Sequence, residues 1–483
     1  MKKIQKFMCL ILASATVFCV TACDGTQSSG DLPTSVDVGG MTETYGSWEG
    51  QTLEVVALDK GLGVAWLRDA VKTFNAATGS SIIIKPDETL NEALETYLSA
   101  SSNSDVYFSY SSEAQWVRWA MQEKIVPLDD LGLTYKEDME VVGVYESVRY
   151  TMPYSYSPTG FVYNQGYIDS IPSKGEFTQG TFPTTWQGLL DMCDSINNDW
   201  KKVTLGQQVV PMSWGATVGD MSYVFKALWG QIDPEGYKAY WNQETESVTG
   251  QNNKTLLVND STIQAMDCVA KLLDPTENSR GAYYPGNSFS DSIGHSNLIA
   301  QQKFLNGLSV FTISGSWFEQ EMSEQIEDSE IDFYHYATMP IVNEGSEKTV
   351  YINTPAEYFM VTQNGKNNNK PLAKAFLRYL ASEERLQVFH ATTGVPAALE
   401  YRFKTDTLTR FAKEIAEAVE SSNCVVSVSD RKASLSGAIG LNIATPFQQI
   451  ATSAYTSTTA KTIIEDLYNK QYADWNDYFD TFK

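Results

Sequence analysis

Between Leu53 and Tyr110, fully apolar runs alternate with one-sided apolar stripes, and few folds accept that alternation. LEVVAL (53–58) reads as a buried strand, and Val64, Leu67, Val71 and Phe74 repeat at the spacing of one helix face. Thr78-Gly79 stops that helix, and SIIIK (81–85) supplies a second strand. Leu90, Leu94 and Leu98 mark a short helix before a third strand, DVYFSY (105–110). Strand, helix, strand, helix, strand predicts a parallel α/β sheet covered by crossover helices. Such sheets bind ligands in the loops at the carboxyl ends of their strands, which singles out Asp59, Lys60 and Tyr110.

The N-terminus bounds where the chain works. Lys2, Lys3 and Lys6 precede an apolar run from Phe7 to Val20. At about 14 residues it is too short to span a bilayer as a helix and fits a secretory signal. It ends in Val20-Thr21-Ala22-Cys23, which resembles a bacterial lipobox, with Cys23 as the lipid-modified first residue of the mature chain. A stretch rich in Gly, Ser, Thr and Asp follows and suits a flexible tether. The expected layout is a signal at 1–23, a tether at 24–50 and a body outside the cytoplasmic membrane, anchored by lipid.

That body, about 435 residues, exceeds one core, so two lobes are expected. PYSYSP (153–158) breaks the α/β rhythm and marks one crossing between them; the strand-like stretch at about 349–362 marks a second. The expected division gives the first lobe residues 51–158 with 350–395, and the second lobe 159–349 with 396–483. In the second lobe Trp186, Leu189, Leu190, Cys193 and Ile196 form a helical stripe with Thr184 or Thr185 as its N-cap. Cys193 and Cys268 lie on apolar helix faces as core thiols.

With 59 acidic and 35 basic residues the net charge is −24, and no Lys/Arg cluster interrupts it. Nucleic acid and anionic membrane surface are therefore poor partners. His295, His335 and His390 are isolated, without metal-ligand spacing, and there is no Gly-x-Ser-x-Gly elbow or phosphate loop. Neither a metal nor another cofactor is expected. A glycosidase with paired carboxylates has acidic residues to draw on, but none is recognisably paired; an adhesin with a borrowed fold is the other competing class.

Six blocks in order carry a family resemblance: TFNAATGSSIIIKPD, DVYFSYSSEAQWVRWAMQEKIVPLDDL, YTMPYSYSPTGFVYNQGYID, FPTTWQGLL, KFLNGLSVFTISGSWF and FLRYLASEERLQVFHATTGVPA. Together, behind a lipobox, they resemble the extracellular solute-binding proteins of ABC importers, in the branch that includes maltose-binding protein. The resemblance implies two α/β lobes, a hinge of two or three strands, closure around a ligand, and delivery of that ligand to a membrane permease. A monomer that captures a sugar or oligosaccharide is the expected form; a peptide or other polar solute is the alternative.

In that family the strand ending in Gly-Ser-Trp brings its aromatic into the cleft, which nominates Trp317. An indole plane matches the C–H face of a sugar ring; the bland alternative is a core tryptophan. Tyr and Trp supply 37 of the 58 aromatic residues, which favours a glycan ligand. Tyr154 and Tyr156 lie in the first crossing, and Trp214 in a Gly-flanked loop. Trp116 is a further candidate, with helix packing as its alternative, and Trp66 is another, in a stretch a residue or two longer than the maltose-binding pattern. Glu357 in the second crossing is a possible hydroxyl acceptor. Phe447 is the nearest aromatic where the family often adds a final stacking ring, and the lack of a tryptophan there departs from a maltose-type pattern.

Overall fold

In the computed structural model, residues 38–483 are described except for 101–102, 111–112, 218, 243–253, 274–286, 290, 330–331, 354–356, 403, 427–443, 453–458 and 482–483. Cys23 and the signal therefore lie outside the described residues. Two sheets organise the rest. In the first, the order is Ser81–Asp87, Thr52–Leu58, Val106–Ser109, Tyr358–Val361 and Met152–Pro153. Its first three strands run parallel, as the alternation predicts, and Tyr358–Val361 lies antiparallel against Val106–Ser109.

The crossover helix Ala65–Thr78 explains that parallelism. Its Trp66, Leu67, Ala70, Val71, Phe74 and Thr78 are buried on one face, and Gly79, at φ +73°, closes its C-terminus in the left-handed conformation. The second face of the sheet is covered by Leu90, Leu94 and Leu98 together with Trp116 and Trp119. Upstream, helix Val38–Tyr45 packs onto this lobe within the stretch expected to be tether. Met41 is buried, and the Tyr45 ring sits 5.5 Å from Tyr379 and 6.2 Å from Phe74. Two apolar residues one turn apart carry that contact, too few to stand out as a periodic stripe among Gly39, Gly40 and Thr42.

In the second sheet the order is Val210–Ser213, Ser309–Gly315, Ser157–Asn164, Thr349–Asn353 and Asn423–Val425, with Tyr334–Ala337 also paired to Ser157–Asn164. Thr349–Asn353 pairs within this second sheet, so the return to the first sheet lies between Asn353 and Tyr358. Three stretches cross between the sheets and hydrogen-bond to one another. Tyr154 N–H donates to Glu357 O at 2.9 Å, Tyr156 N–H to Pro396 O at 2.8 Å, and Ala398 N–H to Tyr154 O at 2.9 Å.

The second lobe has the larger core, from Phe161 and Ile168 through Phe225 and Trp229 to Ile464, and it holds Cys193 and Cys268. Helix Trp186–Ser195 shows how local chemistry sets an element. Thr185 is its N-cap, accepting from Gly188 N–H at 3.1 Å while its hydroxyl donates to Glu176 at 2.6 Å. Thr185→Ala will cost about 1 kcal/mol in urea unfolding, and Thr185→Ser will recover most of it. Among the described residues no helix is long and apolar enough to cross a membrane.

Candidate functional site

The loops at the carboxyl ends of strands from both sheets meet at a cavity of about 640 Å³. Asp59, Lys60, Gly61 and Gly63 line it from the first lobe; Leu298, Gln302, Gln320 and Glu321 line it from the second. The first strand ends one residue before Asp59, and Gln320 and Glu321 belong to the single turn Phe318–Glu321 that follows Ser309–Gly315. A crossover sheet leaves its strand ends uncovered, and here two sets of strand ends face one space.

Trp317 sits between that second strand and that turn, and it is half-buried. Its ring folds back over Gly315, where an added Cβ would lie 2.4 Å from the ring and 2.4 Å from Pro158 O. A side chain at 315 would push the indole off the strand end, so the Gly-Ser-Trp sequence has a steric reason. Next to Trp317, Ser316 is buried, and its hydroxyl has no partner among the described residues.

Glu321 lines the cavity, and two further carboxyl groups, Glu357 and Asp220, are coupled to it by charge. Glu321 accepts from Gln301 Nε2 at 2.8 Å and Asn297 Nδ2 at 3.3 Å. Burial first, then the nearby Glu357 charge, pushes its carboxyl above the usual range, while Lys60 pulls it down. Glu357 is hydrogen-bonded to Ser155, and burial raises it too. Its Oε1 is 4.0 Å from where a Cβ on Gly61 would stand. Asp220, just before helix Met221–Ile232, accepts from Gly215 N–H at 2.6 Å, and burial pushes it up to about 7. Tyr110 is 37% exposed, with its hydroxyl accepting from Asn91 at 3.1 Å. Its phenol is held above the usual range by burial and by Glu357, Glu92 and Glu321, and that of Tyr223 by burial, Asp220, Tyr351, Tyr110 and Glu321.

Of the sequence candidates, Asp59 and Lys60 line this cavity, Glu357 lies against its Gly61, and Tyr110 and Trp317 follow the strands Val106–Ser109 and Ser309–Gly315. The other sequence candidates are placed elsewhere. Trp66 stacks on Tyr154 at 5.0 Å and 13°, edged by Phe108, Phe359 and Phe389, and the Tyr154 hydroxyl donates to Leu380 O. Tyr156 donates to Asp138 at 2.5 Å and borders a separate cavity of about 600 Å³ with Lys136, Tyr237 and Trp241. Trp116 lies in the first-lobe core, and Trp214 and Phe447 in the second-lobe core.

Asp220, Tyr223 and Glu321 were not singled out by the sequence. Glu321 reads as an ordinary helix-favouring acid in FEQEM, and Asp220 as part of a turn in VGDMS. The available signal was position: each lies six to ten residues beyond a buried strand of the second lobe.

The sequence profile of bacterial extracellular solute-binding proteins matches residues 69–412. No curated protein matches the chain. Among solved structures, RafE from Streptococcus pneumoniae is 16% identical, with 89% of this chain and 98% of that chain covered at a TM-score of 0.62. A chitin oligosaccharide binding protein is 15% identical over 88% of this chain and 99% of its own, at 0.64. The solute receptor AcbH, described as having an exclusive preference for β-D-galactopyranose, is 13% identical over 89% and 99%, at 0.65. At these identities the likeness establishes the fold: two α/β lobes facing a cleft.

Proposed function

This chain belongs to the bacterial extracellular solute-binding proteins, and we propose that it captures a sugar or oligosaccharide between its lobes and delivers it to the permease of an ABC importer. The observation that carries the sugar reading is the half-buried Trp317, laid over Gly315 at the end of the strand whose following turn, with Gln320 and Glu321, lines the cavity. An indole plane receives the C–H face of a sugar ring, and carboxylates accept its hydroxyls. RafE has been solved with raffinose, and the chitin oligosaccharide and galactose receptors share the fold; these ligands support a carbohydrate here by analogy.

Family members bind rather than transform, and no catalytic residue is assigned here. The lobes divide near the three crossings, and ligand shifts their open–closed equilibrium through its differential affinity for the closed form. The Val-Thr-Ala-Cys motif supports lipid anchoring through Cys23, with a monomeric body held at the outer face of the cell membrane.

A thermal-shift screen across mono-, di- and oligosaccharides tests this, because a ligand that binds the native state raises the melting temperature by mass action. Trp317→Ala will weaken the responding sugar by about 2–3 kcal/mol, roughly 30–150-fold in Kd, while unliganded stability stays near wild type. A flat response to every sugar beside a clear shift with peptides would overturn the carbohydrate assignment and leave the importer role standing.

A further inference from the structure

Lys370, Lys374 and Arg378 stand four residues apart, too dispersed to read as a basic cluster in the sequence. Helix Lys370–Leu380 puts them on one face. That face borders a groove of about 440 Å³ on the first lobe. Its other wall is the end of the N-terminal helix Val38–Tyr45 and the turn after it, through Tyr45 and Trp48. The groove shares no lining residue with the cleft cavity. Asp130 is its one lining carboxylate; it pairs with Lys374 at 2.7 Å, and its backbone O accepts from Arg378 at 2.5 Å. Among the described residues neither Lys370 nor Arg378 has a carboxylate partner. A chain of net charge −24 thus carries a groove where three cations meet one acid.

The place of this groove along the chain indicates what it meets. The N-terminal helix is fastened to the lobe: Met41 is buried, the Thr42 hydroxyl donates to Ala77 O at 2.9 Å, and Trp48 N–H donates to Thr78 O at 2.7 Å. Only residues 24–37, 14 in number, separate Cys23 from that fixed helix. Fully extended, 14 residues reach about 50 Å, and a relaxed coil of that length averages about 20 Å. Salt screens the acidic charge elsewhere on the body beyond about 8 Å, so a surface touching the groove meets mainly its cations. Lysine and arginine beside tyrosine and tryptophan suit a lipid–water interface, where rings sit at headgroup depth and cations meet phosphate.

We propose that this groove seats the phosphate headgroups of anionic phospholipid, laying the first lobe on the membrane that carries the anchor. The inference rests on the Cys23 anchor proposed above and adds the surface which that anchor brings to the lipid. For one face it reverses what the overall charge predicts for anionic surfaces. Each headgroup contact is weak alone, and the tether supplies the local concentration that makes it count.

Vesicle flotation at 150 mM salt tests this with the mature chain carrying Cys23→Ser, and so no lipid of its own. Vesicles of phosphatidylcholine with one-third phosphatidylglycerol are expected to bind it about 30-fold better than phosphatidylcholine alone, two net charges at roughly five-fold each. Lys370→Gln, which breaks no hydrogen bond among the described residues, should lose about five-fold. Lys370→Gln with Arg378→Gln should bring the ratio near one, with the melting temperature kept. A chain that prefers neither vesicle, or an unchanged ratio in the double variant, overturns the inference. So does complete release by 10 mM inorganic phosphate at constant ionic strength, which would make the groove a site for free anions. Uptake of labelled palmitate at Cys23 in cells is scored separately. No labelling with vesicle preference intact overturns the anchor and keeps the groove; labelling without preference overturns this inference alone.

Discussion

Trp214→Ala will destabilise the protein by about 3–5 kcal/mol, the range for removing a large aromatic from a closed core. The side chain is 0% exposed and packed in the second-lobe core with Phe225, Trp229 and Phe447. Among the described residues its indole N–H has no partner, so the loss is one of packing and cavity formation rather than of a hydrogen bond. Trp214→Phe should therefore recover most of the stability, since it restores a ring and removes an orphaned donor. Urea unfolding of the three proteins checks this. An unchanged midpoint in Trp214→Ala together with lost ligand binding would mean that the ring serves the ligand instead.

Asp220→Asn is expected to raise stability at pH 8 by up to about 4 kcal/mol and to change little at pH 4. Burial pushes the Asp220 carboxyl from its ordinary 3.8 to about 7 in the folded protein, with the neighbouring Glu321 charge adding to it. Between those values the folded state keeps a proton that the unfolded chain has released. Stability from this group therefore falls as pH rises through about 4 to 7, opposite to the usual carboxylate. Glu54, Asp87 and Glu95 work in the usual direction, each lowered by hydrogen bonds or cationic partners that outweigh desolvation. Their contribution is lost on acidification, so the wild-type profile mixes both signs. Subtracting the Asp220→Asn profile isolates the rising-pH loss, and parallel profiles would show that the carboxyl is solvated.

The elements that sequence periodicity exposes are those whose partners are near in the chain. Val64, Leu67, Val71 and Phe74 bury one helix face between two adjacent strands, and Thr185 caps a helix with its own neighbour three residues on. Trp214 and Trp317 look alike in sequence, each beside small residues at a strand end, and the structure treats them differently for a distant reason. The 214–217 loop is covered by helix Ala444–Thr452, whose Gln448 donates to Ala216 O at 2.9 Å, 232 residues away. The neighbouring Phe447 is buried by the same packing. Trp317 is left half-buried. Asp220 and Glu321 were illegible for a related reason: neither shares a spacing with Glu357, and tertiary folding alone brings their charges within reach of one another.

The three crossing stretches are joined edge to edge, through Tyr154 to Glu357, Tyr156 to Pro396 and Ala398 to Tyr154. A ribbon of parallel cords bends readily across its width, yet it resists shearing and twisting because each cord restrains its neighbours. The lobes are thereby reduced to something near one mechanical degree of freedom, a door rather than a ball joint. Connectivity, not the occupant, then sets the path of closure. Occupants of different length would stop the door at different angles along one arc, and a partner reading that arc would need to measure a single coordinate.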